Sequence, residues 1–138
     1  MIPALIWKLH FASVAFMAGL IWLVQLVHYP LMSLVDRARF AEFHAAHSFR
    51  ITWIVAPVML LEAATAGLLP LMSVVEPKLA WICVGLTGVA FASTGLLSVP
   101  QHSRLSSGFA GDAHSRLVQT NWVRTIAWSI HLVICLWQ

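Results

Sequence analysis

The chain opens on MIPALIWKLHFASVAFMAGLIWLVQLVHYPL, residues 1–31, a stretch that contains one lysine, no arginine and no acidic residue. A membrane-spanning helix needs about 20 consecutive, mostly apolar residues, and this stretch is long enough. It lacks a basic leading segment, and its apolar part is longer than the core of a signal peptide, which has about 7–15 residues. We therefore interpret it as a spanning helix and expect no cleaved leader.

The rest of the chain has the same apolar character. Of its 138 residues, 60% are hydrophobic and 9% are charged, whereas a soluble domain carries roughly 25% charged residues. This length predicts a single domain, residues 1–138. The formal net charge of +3 lies beside apolar segments, where basic residues determine membrane topology. We therefore exclude nucleic acid as a partner.

Four segments are apolar enough to be read as spanning helices. They cover approximately residues 4–35, 51–75, 79–99 and 122–137. Only EPK, residues 76–78, separates the second from the third, which requires a tight antiparallel hairpin. The polar segments 36–50 and 101–121 favour extension of the second and fourth helices into the cytosol. The predicted fold is an all-α integral membrane protein, an up-down bundle of four transmembrane helices.

The basic residues predict the orientation of this bundle. All the arginines lie in or beside the two polar segments: Arg37, Arg39, Arg50, Arg104, Arg116 and Arg124. The opposite side carries only Lys8, Glu76 and Lys78. Because positive loops remain in the cytosol, both termini are predicted to lie outside. We expect a multi-pass protein of the bacterial inner membrane.

Several histidines are predicted to form a layer near the cytosolic face. They are His28, His44, His47, His102 and His114. Imidazole is the commonest metal ligand, and a bundle can bring ligands from several helices to one level. A mostly nitrogen ligand set suits iron, copper or zinc. The alternative is that these histidines are interfacial side chains that bind helix ends and lipid head groups.

Three other polar residues are candidate catalytic groups. Glu62 lies eighteen residues, or five helical turns, after His44, so the two share one helix face. A carboxyl at mid-membrane is costly. Glu62 therefore either transfers protons, acts as a ligand, pairs with Arg124 or a histidine, or makes a structural hydrogen bond between two helices. Asn121 and Arg124 lie near one polar stripe of the last helix and would orient a small lipophilic substrate.

Two histidines and two cysteines lie toward the outer side. His10 and His131 could ligate a haem from both sides, as in membrane cytochromes, or make unrelated polar contacts. Cys83 and Cys135 lack zinc-type spacing. Ordinary buried thiols are the favoured interpretation for them, and a disulfide remains open.

Three stretches carry a family resemblance: GLIWLVQLVHYPLM, FHAAHSFRITWIVAPVMLLEA and VPQHSRLSSGFAGDAHSRLVQTNWVRTIAW. They resemble an uncharacterised family of small four-helix bacterial inner-membrane proteins and are distantly similar to anthrone-oxygenase-like membrane proteins. The latter resemblance implies oxidation of a small aromatic or lipophilic substrate, and it assigns no site residues.

Three functional hypotheses follow from these observations. The first is a metal-dependent membrane oxidoreductase with its histidine site near the cytosolic face. The second is a haem-binding or electron-transfer protein. The third is a non-enzymatic assembly factor or small subunit. The expected partners are the lipid bilayer and a small lipophilic substrate, with a second copy of the chain or a membrane complex as alternatives.

Overall fold

The structure, a computed structural model, describes all residues 1–138 and contains four long helices and no strand. They are α1 (Ile2–Met32), α2 (Phe40–Leu71), α3 (Pro77–Leu105) and α4 (Gly111–Leu136). The α2–α3 connection is short, as EPK predicts, and Glu76 accepts a hydrogen bond from the backbone N–H of Leu79 at 3.1 Å. This contact caps the first turn of α3.

Two helices contain a π-helical turn. In α1 it spans Val24–His28, and in α3 it spans Thr94–Ser98. Each turn is followed closely by a proline, Pro30 or Pro100. Proline cannot donate a backbone hydrogen bond and crowds the preceding turn, and a local π turn accommodates this without ending the helix. Both helices therefore continue past their prolines.

The four helices pack as a ring. Helix α1 contacts α2 and α4, and α3 contacts the same two helices. The beginning of α1 meets the end of α4 where His10 contacts His131, and the end of α1 meets the beginning of α4 where Tyr29 contacts His114. Helices α1 and α4 thus run in opposite directions. Helix α2 is antiparallel to α1, since His10 contacts Thr65 and His28 stacks on His47. It is also antiparallel to α3, as the contacts of Glu62 with Thr87 and of His44 with His102 show.

The surface of the bundle is rich in apolar side chains, and its largely hydrophobic interior also contains several polar side chains. Exposed side chains include Leu26, Leu60 and Leu96, whereas Glu62 and Asn121 are fully buried. Fully buried carboxyl and amide side chains beneath an apolar surface are uncommon in soluble proteins. By length and composition, α1, α2 and α3 could each cross a membrane, and α4 does not meet the same standard. The fold is therefore consistent with a membrane protein.

The helices begin and end differently from the predicted apolar segments. Helix α2 begins at Phe40 and α4 at Gly111, each well before its apolar part, in agreement with the predicted long helices. Helix α3 also runs on, through Pro100 to Leu105. The polar connection 101–121 is therefore mostly helical, and only residues 106–110 join α3 to α4.

An apolar cluster joins the helix ends nearest the arginines. Phe40, Leu105 and Leu117, from three different helices, each have 0% exposure. Phe40 also meets Phe109 edge to face, with ring centroids 5.1 Å apart. This packing holds the long helices together where they are most polar.

Replacing Phe40 with alanine should destabilise the protein strongly. Loss of a fully buried phenylalanine typically costs about 3–5 kcal/mol. Denaturant unfolding of the detergent-solubilised protein measures the effect, with Phe49→Ala as the matched control because Phe49 is exposed. Equal stability of the two variants would contradict the packing described for Phe40.

Candidate metal centre and adjoining cavity

Four potential metal ligands meet inside the bundle. They are His10 of α1, Cys83 of α3, and His131 and Cys135 of α4, all buried. One ligand atom from each lies within 4.8 Å of all the others. His131 and Cys135 are four residues apart and so lie on one helix face. This group could hold a metal ion.

The two imidazoles face each other through their Nε2 atoms, which are 3.1 Å apart. Two nitrogens on one tetrahedral zinc, with bonds of about 2.0–2.1 Å, are separated by roughly 3.3 Å. The observed separation is close to this value, so a shared ion requires only a small movement of the rings.

Thr65 favours the tautomer of His10 that leaves Nε2 free. The Thr65 hydroxyl donates to the carbonyl of Leu61 at 2.8 Å. Its oxygen therefore accepts from the Nδ1–H of His10, at a distance of 3.1 Å. With the proton on Nδ1, the lone pair of Nε2 points toward His131 and is available to a metal.

Glu62 faces Nδ1 of His131, just as Thr65 contacts Nδ1 of His10. Its Oε1 lies 3.5 Å from Nδ1 of His131, a distance that is long for a hydrogen bond but short enough for an ion pair with a protonated imidazole. The carboxylate also accepts from the indole N–H of Trp128 at 2.9 Å and from the hydroxyl of Thr87 at 3.2 Å. A carboxylate behind a ligating histidine fixes its tautomer and raises its basicity.

The same geometry has a metal-free alternative. A protonated His131 would pair with Glu62 and donate from Nε2 to His10. A metal ion would replace that shared proton and would bring the two thiols into the same set of contacts. The metal content of the protein distinguishes these two states.

Sequence reasoning did not place the cysteines in this site. Cys83 and Cys135 are buried and not joined in a disulfide. The spacing of His131 and Cys135 was the available signal, because four residues make one helical turn. Cys83 belongs to another helix, and the sequence relates it to that pair only through its predicted position on the outer side.

The predicted histidine layer lies at the opposite end of the bundle as two close pairs and a fifth histidine that binds a backbone carbonyl. Nε2 of His44 lies 3.1 Å from Nδ1 of His102, and the rings of His28 and His47 stack with centroids 3.9 Å apart. His114 donates from Nε2 to the carbonyl of Tyr29 at 2.8 Å. These five histidines bring no three ligand atoms together as the buried group does. Their role as metal ligands stays a prediction.

A cavity of about 310 Å³ lies between this histidine end and the buried group. All four helices contribute to its walls. Its polar part includes Tyr29, His102 and Arg124, and its apolar part includes Met17 and Met59. Trp128 also lines the cavity, and its indole N–H binds Glu62 on the other side. One side chain therefore separates the cavity from the group that supports His131.

The structure brings two of the three candidate catalytic residues together. Asn121 and Arg124 are both buried, and the guanidinium donates to the side-chain oxygen of Asn121. Gln25, which the sequence analysis did not single out, accepts from Asn121 at 2.6 Å. Glu62 lies apart from them, behind Trp128. Gln25 belongs to the π turn of α1, a local geometry that periodicity does not predict.

The haem alternative receives no support from these contacts. His10 and His131 are at hydrogen-bonding distance in a closed core, with two thiols beside them. A haem with two axial histidines needs a slot for the flat macrocycle between the two rings. The pair is instead arranged for a single small ion or a proton.

Comparisons with protein families, curated proteins and solved structures found no match to this chain.

Replacing Glu62 with glutamine should weaken metal binding while preserving the shape of the side chain. Loss of a carboxylate that orients a ligating histidine typically lowers affinity by about 10–100-fold. Competition with a chelator, using purified protein loaded with zinc, measures the change. Glu42→Gln is the matched control because Glu42 is exposed on the same helix. Unchanged affinity in a folded Glu62→Gln variant would contradict the proposed role of Glu62.

Proposed function

We propose that this protein is an integral membrane metalloprotein in which all four helices cross the bilayer. The case for α4 rests on where its side chains lie. Ile126, Ile130 and Val133 are exposed, whereas Arg124 and His131 are buried. The polar residues that lower its hydropathy therefore face the interior of the bundle. A helix of 26 residues antiparallel to α1 and α3 is long enough to span with them.

The proposed orientation places both termini outside the cytosol. The antiparallel packing brings the arginine-bearing ends of all four helices to one end of the bundle, as the contact between Arg104 and Asp112 illustrates. Lys8, Glu76 and Lys78 belong to the other end. The positive-inside rule then supports an inner membrane protein with the histidine end in the cytosol.

The observation that carries the metal proposal is the convergence of His10, Cys83, His131 and Cys135. Two thiols and two imidazoles form a ligand set that suits zinc or a thiophilic copper ion, and iron is also compatible with it. The supporting contacts of Thr65 and Glu62 explain why both imidazoles would present a lone pair to the same point. This centre replaces the cytosolic histidine layer as the favoured location of the metal.

We further propose that the protein is a metal-dependent oxidoreductase for a small lipophilic molecule held in the adjoining cavity. Four protein ligands complete a tetrahedral site, which leaves no open position for substrate. The metal would therefore pass electrons between the substrate and a separate one-electron carrier, which restores its oxidation state, rather than bind the substrate directly. Glu62 would accept and release protons beside His131. Asn121 and Arg124 would orient the substrate molecule. The resemblance to anthrone-oxygenase-like proteins agrees with such a substrate.

The closed ligand set also favours a second candidate, a structural role. Complete tetrahedral sites of cysteine and histidine commonly hold structural zinc. The protein would then act without catalysis, as an assembly factor or small subunit of a membrane complex. The identity of the metal separates the two: copper or iron supports the oxidoreductase, and zinc supports the structural role.

Elemental analysis of purified protein tests the metal proposal. We expect an equimolar amount of copper, iron or zinc. His131→Ala and Cys83→Ser should each remove most of it, because each deletes one of four ligands. His47→Ala, at the histidine end, should not change the content. The reverse pattern would place the metal in the cytosolic layer, and a metal-free protein from metal-replete cells would overturn the proposal.

A further inference from the structure

Arg124 is a buried cation without an acidic partner. Its side chain is 8% exposed. It donates to Tyr29, Asn121 and Thr94, which are all neutral. None of the ion pairs in the structure includes Arg124, and its Nε has no hydrogen-bond partner. A buried charge is costly unless it is paired, so an anion beside this guanidinium would be favoured.

The unpaired charge borders the cavity. Ser98, also a cavity residue, is 2% exposed, and its hydroxyl has no hydrogen-bond partner either. Buried polar atoms in native cores nearly always have a hydrogen-bond partner, and a ligand or water in the cavity would supply one here. Two such groups from different helices meet at one cavity, which points to a ligand with hydrogen-bond acceptors.

A chain of hydrogen bonds on the side away from the cavity holds the Arg124 guanidinium in place. Asn121 accepts from Arg124 and donates to Gln25 at 2.6 Å, and Gln25 in turn donates to the carbonyl of Val118 at 3.3 Å. Such second contacts restrict the side chain to one orientation. Nη2 donates to both Tyr29 and Asn121 and Nη1 donates to Thr94, so the Nε–H and one hydrogen of Nη1 remain available to an oxyanion.

The remainder of the cavity is apolar and reaches the surface of the bundle. Met17, Met59 and Trp128 line its inner part. Val99 also lines it and is 55% exposed, on the surface that would face lipid. A volume of about 310 Å³ lies at the small end of the range for ligand pockets. The cavity therefore suits a small amphiphile that enters from the bilayer.

We propose that this cavity binds a lipophilic molecule with an oxyanion head group, which pairs with Arg124. The hydroxyl of Ser98 donates to the same head group, and the apolar body packs against Met17, Met59 and Trp128. This inference names the ligand class for the cavity of the proposed function. It rests on the cavity and does not require the metal centre.

Calorimetric titration of the full chain in phosphatidylcholine nanodiscs tests the proposal, with empty nanodiscs as background. The probes are 1-naphthoate and its uncharged analogue 1-naphthalenemethanol. Loss of a buried charge-assisted hydrogen bond should weaken binding by at least roughly tenfold, so the carboxylate should bind that much more tightly than the alcohol. Equal affinity for the two probes would overturn the proposal.

Variants connect the binding to this cavity. Arg124→Gln should weaken naphthoate binding to the level of the alcohol, whereas Arg116→Gln, at an exposed position on the same helix, should not. Ala56→Phe fills the cavity and leaves Arg124 in place, so it should abolish binding of both probes. If Arg124→Gln fails to fold, the Ala56→Phe variant and the two-probe comparison still decide. Retained binding in folded Arg124→Gln or Ala56→Phe would overturn the proposal.

Two further arms separate the possible sources of the ligand and the two proposals. Loss of naphthoate binding in nanodiscs that contain phosphatidylglycerol would identify a lipid phosphate as the natural oxyanion, and retained binding would identify a free acid. Cys83→Ser should bind naphthoate normally even where it has lost its metal. Failure of the metal proposal therefore leaves the oxyanion site intact, and failure of the oxyanion site leaves the metal centre intact.

Discussion

The buried carboxylate of Glu62 is the constraint on which the rest of the interior depends. It belongs to α2, accepts from Thr87 of α3 and Trp128 of α4, and faces His131. A charge at this depth is tolerated only when its oxygens are satisfied. Three helices are therefore held in one register by a single side chain, and His131 is oriented toward α1 as a consequence.

The orientation of His131 determines the chemistry next to it. Its Nε2 meets that of His10, whose other nitrogen contacts Thr65, one helical turn after Glu62 on α2. The two imidazoles are thus supported from the same helix and converge on the same point. The thiols of Cys83 and Cys135 complete a compact group of soft and borderline ligands. The contacts that pack these helices together are therefore also the contacts that orient the potential ligands.

A tryptophan separates this group from the cavity, and two π turns shape the cavity itself. Trp128 is the shared wall, with its ring lining the cavity and its N–H on Glu62. The π turns of α1 and α3 supply Gln25, Thr94 and Ser98 near Arg124. Each π turn lies just before a proline. The prolines thus create the irregular backbone that brings these polar groups to one place.

The sequence alone determined the helical class, the antiparallel order and the apolar surface, because these follow from hydrophobic length, from the short EPK connection and from periodicity. It also identified Glu62, Asn121 and Arg124 as candidate functional groups, from the helix face that Glu62 shares with His44 and from the polar stripe of the last helix. The convergence of His10, Cys83, His131 and Cys135 was decided by the tertiary structure. Helical phase orders residues within one helix, whereas a ligand set drawn from three helices depends on how those helices rotate and slide against each other. The same limit explains why the five histidines at the other end, similar in level, form two pairs and a single side chain rather than a group around one point.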